Sequence, residues 1–238
     1  MKILFLIISI FLLSSPSWSE TLTLDDLVER EGLYYKKFTT VPFTGEISGI
    51  DSGKFKNGKR EGPWEIYHEN GQLKSTGKYE DGSLQGSFLA YYDDGSVHKE
   101  LKYTDGYRVG KNVEYHLNGK LKYEGVFTNK GMNAKITEYN DKEKVILKKE
   151  LLNELPHGQW LSYDDKGKLI TDIMYQNGKR HGISKVYEKG DLISEINYAF
   201  DNKQGEAKTY YTNRQLESIS NYKLDRLQGP FTKYHKNG

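Results

Sequence analysis

The chain has 238 residues and no cysteine, which excludes a disulfide framework, a thiolate nucleophile and a Cys-based zinc site. Lys and Arg number 35 against 33 Asp and Glu, and the 24 Gly and 19 Tyr are high. That near-balance of charge argues against a general nucleic-acid binder, which needs a basic excess to displace counterions.

The N-terminus reads as a leader. Met1-Lys2 gives a positive start, Ile3 to Leu13 is almost unbroken hydrocarbon, and small residues stand at Ser17 and Ser19. This is the layout of a secretory signal peptide over 1–19, cut before Glu20. The expected location is therefore periplasmic or secreted, with an uncleaved N-terminal anchor as the lesser alternative. Residues 20–37 read as a cap segment, in which 21–31 suits a short helix or an extended stretch. Residues 38–238 read as one repeat array.

The array is written in the glycines. Starting from Gly62, the positions Gly86, Gly110, Ala134, Gly158, Gly182, Gly205 and Gly229 follow at intervals of 24, 24, 24, 24, 24, 23 and 24. Five residues after each start stands a tyrosine: Tyr67, Tyr91, Tyr115, Tyr139, Tyr163, Tyr187, Tyr210 and Tyr234. A second aromatic row lies about 17 residues in, at Tyr79, Tyr103, Phe127, Tyr175, Tyr198 and Tyr222. A Leu/Val row lies about 11 in. Asn-Gly and Asp-Gly pairs at 57, 70, 81, 94, 105, 118 and 177 read as type I′ hairpin turns. Each unit is thus two short strands, all neighbours are antiparallel, and helix is excluded over 62–238. The predicted fold is all-β, an elongated antiparallel meander of tandem ~24-residue hairpins.

Alternation along Leu73, Ser75, Gly77 and Tyr79 predicts one face carrying every apolar and aromatic row and one wet face. The unit 134–157 departs from the pattern, with Ala134, Glu143 and Leu151 replacing two glycines and an aromatic residue. A bent array or an altered loop is expected there.

The segment Gly62-Pro63-Trp64-Glu65-Ile66-Tyr67-His68-Glu69-Asn70-Gly71-Gln72-Leu73 resembles the bacterial variant of the MORN repeat, as does Asn177-Gly178-Lys179-Arg180-His181-Gly182. The resemblance covers roughly 32–238 and extends to the set labelled YwqK-family antitoxins. It implies protein–protein contacts, membrane association or scaffolding. An antitoxin-type neutraliser of a partner protein is the lesser implication, because a leader fits poorly with a cytoplasmic toxin.

No catalytic set emerges. Gly53 to Arg60 matches most of a phosphate loop, but Arg60 stands where Ser or Thr is required and a strand turn replaces the helix. The aspartate pairs 93–94 and 164–165 adjoin turns, and no nucleophile elbow exists. His68, His116 and His235 share a repeat position, and His157 and His181 share another, read as water-facing turn residues. Equivalent positions lie ~10 Å apart, too far for a shared zinc. The sequence therefore predicts a non-enzymatic binding module with no cofactor and no metal.

The candidate binding residues are Trp64, Tyr67, Phe88, Tyr91, Tyr115, Trp160, Tyr163, Phe231 and Tyr234. The expected partner is a protein, with peripheral contact to membrane or cell-envelope polysaccharide as the alternative. Self-association through the edge strand Gly229–Tyr234 is a further expectation. Cleavage is checked by intact mass of protein from the native host. The expected N-terminus is Glu20, and a mass retaining 1–19 rejects it.

Overall fold

A computed structural model describes residues 21–236. The leader 1–19 lies outside the described residues. The rest is strand joined by turns and short loops. A 3-10 turn (Leu24–Asp26) leads into a separate hairpin, Leu27–Arg30 with Leu33–Lys36. The cap is thus a turn and a hairpin, with no α-helix. From Gly45–Ile47 onward, each long strand pairs antiparallel with the next in sequence, ending at Thr232–Lys233 against Leu216–Lys223.

A regular unit contains two different turns. Asn57-Gly58, Asp81-Gly82, Asp105-Gly106 and Asn177-Gly178 hold positive φ at both residues, as a two-residue type I′ hairpin requires. Asn70, Asp94 and Asn118 do not share this conformation. There only the glycine takes positive φ, within a longer loop closed by bonds such as His68 N to Gln72 O (2.8 Å). The seven look-alike dipeptides are therefore two turn types. Loop length decides which forms, and the 13/11 alternation in their spacing is its trace.

The starting glycines do a third job. All seven, from Gly62 to Gly229, sit at positive φ inside or beside a strand. In the unit starting at Gly86, Thr76 pairs with Leu89 and Lys78 with Gln85. Gly77 thus faces Gly86, Ser87 and Phe88, a bulge of two extra residues that only glycine enters without strain. On the following strand an aromatic ring lies opposite: Gly62 faces Tyr79, Gly86 Tyr103, Gly110 Phe127, Gly158 Tyr175, Gly182 Tyr198 and Gly205 Tyr222.

The unit at Ala134 lacks this device. Its register runs unbroken from Thr128↔Asn133 to Tyr123↔Glu138, with Ala134 against Leu151. Four residues, Asn129 to Met132, now form the turn, where two suffice elsewhere. The two residues missing from the bulge reappear in the turn, so the period stays at 24. The altered loop expected from sequence is present, and the loss of Gly and aromatic together is one change. The single 23-residue interval has a similar origin. Lys189-Gly190 makes a two-residue turn where other units place the longer loop.

The register also splits the apolar rows between two faces, contrary to the single apolar face expected. A shift just before each ladder tyrosine (Ile66/Tyr67, Ala90/Tyr91, Glu114/Tyr115) breaks the alternation between Leu73 and Ser75 and between their equivalents. One face, here the glycine face, carries the ring pairs Trp64–Tyr79, Phe88–Tyr103 and Trp160–Tyr175 at centroid distances of 6.1, 6.2 and 5.0 Å. The other, the ladder face, carries the tyrosines five residues after each glycine. Tyr67 bonds Glu65 two residues back on its own strand, and Tyr115 bonds Glu100 of the neighbouring strand.

The best-buried core lies under the cap. Leu27, Ile47, Phe55 and Trp64 pack with Leu22, Leu24, Tyr34 and Phe43 on the glycine face. Gly53 is what allows Trp64 to lie flat, since an added Cβ would come within 2.4 Å of the indole. Two alanine substitutions separate steric from conformational demand. Gly86→Ala meets no neighbouring atom and costs only its positive φ, about 1–2 kcal/mol. Gly53→Ala overpacks the core at about 3 kcal/mol. Urea unfolding should rank them in that order, and equal losses would refute the steric account.

Candidate functional site

The bulge fixes more than register. Two residues after Gly62, Gly110 and Gly158, a polar side chain enters it. Trp64 Nε1 donates to Lys54 O (3.2 Å) and Trp160 Nε1 to Glu150 O (2.9 Å), both carbonyls on the preceding strand. Asn112 takes the same position fully buried. Its Oδ1 accepts from Lys102 N (3.0 Å), and its Nδ2 donates to Val109 O and Gly110 O. Backbone groups left unpaired by the bulge are thereby satisfied. Two residues before the glycine, Arg60, Arg108, Arg180 and Lys203 lie over the rings of Tyr79, Phe127, Tyr198 and Tyr222, at 4.1–5.6 Å from their centroids. These cations were not singled out from sequence, although their fixed offset from glycine was visible there.

The glycine face is therefore spent largely on holding itself together. Trp64 is 2 % exposed and offers a ligand no surface. Phe88 and Trp160 are half-buried in their ring pairs. Phe231 and Tyr234 are exposed near the last described strand, at 56 % and 41 %. The strand expected over Gly229–Tyr234 is reduced to Thr232–Lys233, with Tyr234 N donating to Glu217 O (2.8 Å).

The ladder face is different. Tyr67, Tyr91, Tyr115 and Tyr163 are half-buried along it. Loop side chains of the preceding unit anchor their main chain: His68 Nε2 meets Tyr91 O (3.1 Å), and Tyr92 Oη donates to Tyr115 O (2.7 Å). His116 Nε2 meets Tyr139 O (3.0 Å) and Tyr211 Oη donates to Tyr234 O (2.8 Å). The histidines at this repeat position are thus interchangeable with tyrosine as staples between successive loops. His157 and His181, expected to face water, are half-buried with Nδ1 atoms that are buried and unpaired among the described residues. The His181 ring lies 4.7 Å from that of Phe200.

An open hollow of about 500 Å³ sits on the ladder face, walled by Leu89, Val113, Tyr115 and Leu121 and edged by Lys102 and Lys111. Along the same face Val126 and Ile183 are 47 % and 54 % exposed, and Met174 is exposed as well. Lys–Glu pairs punctuate it: Lys111–Glu124 (2.6 Å), Lys135–Glu150 (3.1 Å), Lys185–Glu195 (3.2 Å) and Lys208–Glu206 (2.6 Å). Such solvated pairs add little stability but leave the face nearly neutral. The result is a long strip of tyrosine and aliphatic surface between paired charges. Leu89, Val113, Val126 and Ile183 escaped the sequence reading, because their face was expected to be wet. Among the described residues, no group of three His, Asp or Glu side chains is placed to hold a metal ion. No described helix is long and apolar enough to cross a membrane.

The MORN repeat variant family model matches residues 60–81, 108–129, 156–177 and 203–224. Each match runs from the ring-covering cation, or from Pro156 in the third, through the bulge glycine to the first residue of the next tight turn. It thus takes in every second unit of the array. No curated protein matches the chain.

The phenols report the packing of the ladder face. Burial raises the pKa of Tyr115, Tyr163 and Tyr210 above the ordinary 10.0, helped in Tyr115 and Tyr210 by hydrogen bonds to Glu100 and Glu195 and in Tyr163 by the charge of Asp172. Folded-state values above the unfolded ones give stability that is complete below pH 10.0 and lost as pH rises through the folded-state values. Chemical denaturation should therefore show stability falling through this alkaline range. Tyr115→Phe should shallow that fall, and an unchanged profile would count against buried phenols.

Proposed function

We propose that this protein is a non-enzymatic, exported binding module that engages a protein partner along the ladder face. The observation that carries the reading is the hollow at Leu89, Val113, Tyr115 and Leu121, continued by exposed Val126 and Ile183 between paired charges. Exposed aliphatic residues on a rigid sheet suit anchors of a protein interface. Neutral, mutually paired charges suit a rim that sets register rather than affinity. The four matches to a repeat variant support a repeat-protein binding module, and the apolar leader supports export. An antitoxin-type role of the YwqK kind draws on resemblance alone.

A photoreactive side chain placed at Val126 or Ile183 should crosslink one and the same protein in the native host. One placed at Lys166, in an exposed loop, should give little. Val126→Lys with Ile183→Lys should weaken capture by about tenfold or more while leaving the melting temperature nearly unchanged. Equal crosslinking from Lys166, or capture indifferent to the double substitution, would remove the ladder face as the interface.

A further inference from the structure

The ladder tyrosines recur at one interval, and the interval itself is a physical constraint on a ligand. Tyr91, Tyr115, Tyr139 and Tyr163 hold the same place in successive units, and each unit adds two strands. Neighbouring members therefore stand about 9.6 Å apart along the array. Their main chain is pinned. His68 Nε2 meets Tyr91 O (3.1 Å), Tyr92 Oη donates to Tyr115 O (2.7 Å) and His116 Nε2 meets Tyr139 O (3.0 Å). A ligand that touches one ring finds the next at a fixed distance.

That distance selects among the shapes a peptide can take. A polyproline II helix repeats every three residues, about 9.3 Å, and presents the same face at each repeat. Seven residues of α-helix span about 10.5 Å. Over the run from Tyr91 to Tyr163 the first falls short by about 1 Å, and the second overshoots by about 3 Å. An extended strand repeats a face every two residues, about 6.7 Å, and misses the adjacent ring by about 3 Å.

The chemistry agrees with the spacing. The phenols of Tyr91, Tyr139 and Tyr163 make no hydrogen bond among the described residues, in contrast to Tyr115, which donates to Glu100 (3.1 Å). A polyproline II segment has no internal hydrogen bonds, so its carbonyls can accept from such donors. Beside the rings, Lys111 is paired with Glu124 and Lys135 with Glu150. Lys102 and Lys148 edge the same hollows, make no ion pair among the described residues and add two donors. Lysines matched by glutamates suit an uncharged, acceptor-rich ligand. Leu89, Val113, Leu121 and Leu161 supply apolar walls for pyrrolidine rings.

We propose that the ladder face seats a proline-rich segment in the polyproline II conformation across Tyr91, Tyr115, Tyr139 and Tyr163. This rests on the ladder face being the interface and specifies what lies on it. Ligand and ladder are both ordered beforehand, so little conformational freedom is lost on contact.

An oligoproline of about twelve residues spans the four rings and serves as the probe. Titrated into the purified protein, it should bind at least about tenfold more tightly than an alanine-rich helical peptide or a Gly-Ser peptide of equal length. Tyr91→Phe with Tyr139→Phe keeps both rings and removes two donors. The pair should weaken oligoproline binding about tenfold and leave the melting temperature nearly unchanged. Crosslinking from Val126 in the native host is read alongside. No oligoproline binding, or binding indifferent to the two phenylalanines, overturns the proposal. Tighter binding of the helical peptide overturns it in favour of a helix. If Val126 still captures a protein in those cases, the ladder face remains the interface and only the shape of its ligand is wrong. Val126 capturing nothing, while oligoproline binds the parent and not the double variant, supports the tyrosine row and removes the wider interface.

Discussion

Positive φ at one glycine per unit is the constraint on which the array depends. That conformation opens a two-residue bulge, an even number that leaves each later side chain on its own face of the sheet. It also leaves room opposite for a ring, exposes backbone groups that need a plug, and places a cation where it can cover that ring. Gly110 shows the full set: Phe127 opposite, Asn112 as plug and Arg108 over the ring. Where glycine is lost, at Ala134, ring and bulge go with it, and the chain compensates in the turn.

The loops supply the second level of coupling. Sheet hydrogen bonds join strands to their immediate neighbours, whereas His68, Tyr92, His116 and Tyr211 reach the tyrosine carbonyl of the next unit. Asn70 and Asn118 do the same through Nδ2 to Asp93 O and Asp141 O. Each unit is thereby held to its successor at the loop end as well as in the sheet. Stability in such an array is a sum of neighbour terms, and these bonds belong to the interface between units rather than to any one of them.

Much of the fold is legible in the sequence, because glycine and tyrosine recur for physical reasons that leave a fixed spacing. Hairpins, antiparallel order and the irregular unit at 134 all follow from that spacing. The faces do not. Alternation running from Tyr79 back to Leu73 fails, because the shift beside Tyr67 puts Leu73 across from the ladder tyrosine. Once that parity is wrong, Val113 and Ile183 look like solvated positions. The candidate site was therefore half visible: Tyr67, Tyr91, Tyr115 and Tyr163 were named, while their aliphatic neighbours were missed. Trp64 was named for its ring, yet only the three-dimensional position of the cap shows that ring to be covered.

The exchange of residues between bulge and turn at 129–138 gives the array something like a reading frame. One added residue within a strand would turn every following side chain to the opposite face, with the ladder tyrosines exchanging sides with the ring pairs. Two residues moved together from bulge to turn leave the frame intact, as the unit at Ala134 shows. One residue removed at a loop end is also absorbed, as at Lys189-Gly190. Length variation among proteins built this way should therefore gather at the two turns and come in pairs near the bulge. A designer wishing to lengthen or graft such an array must count in frame, not merely in repeats.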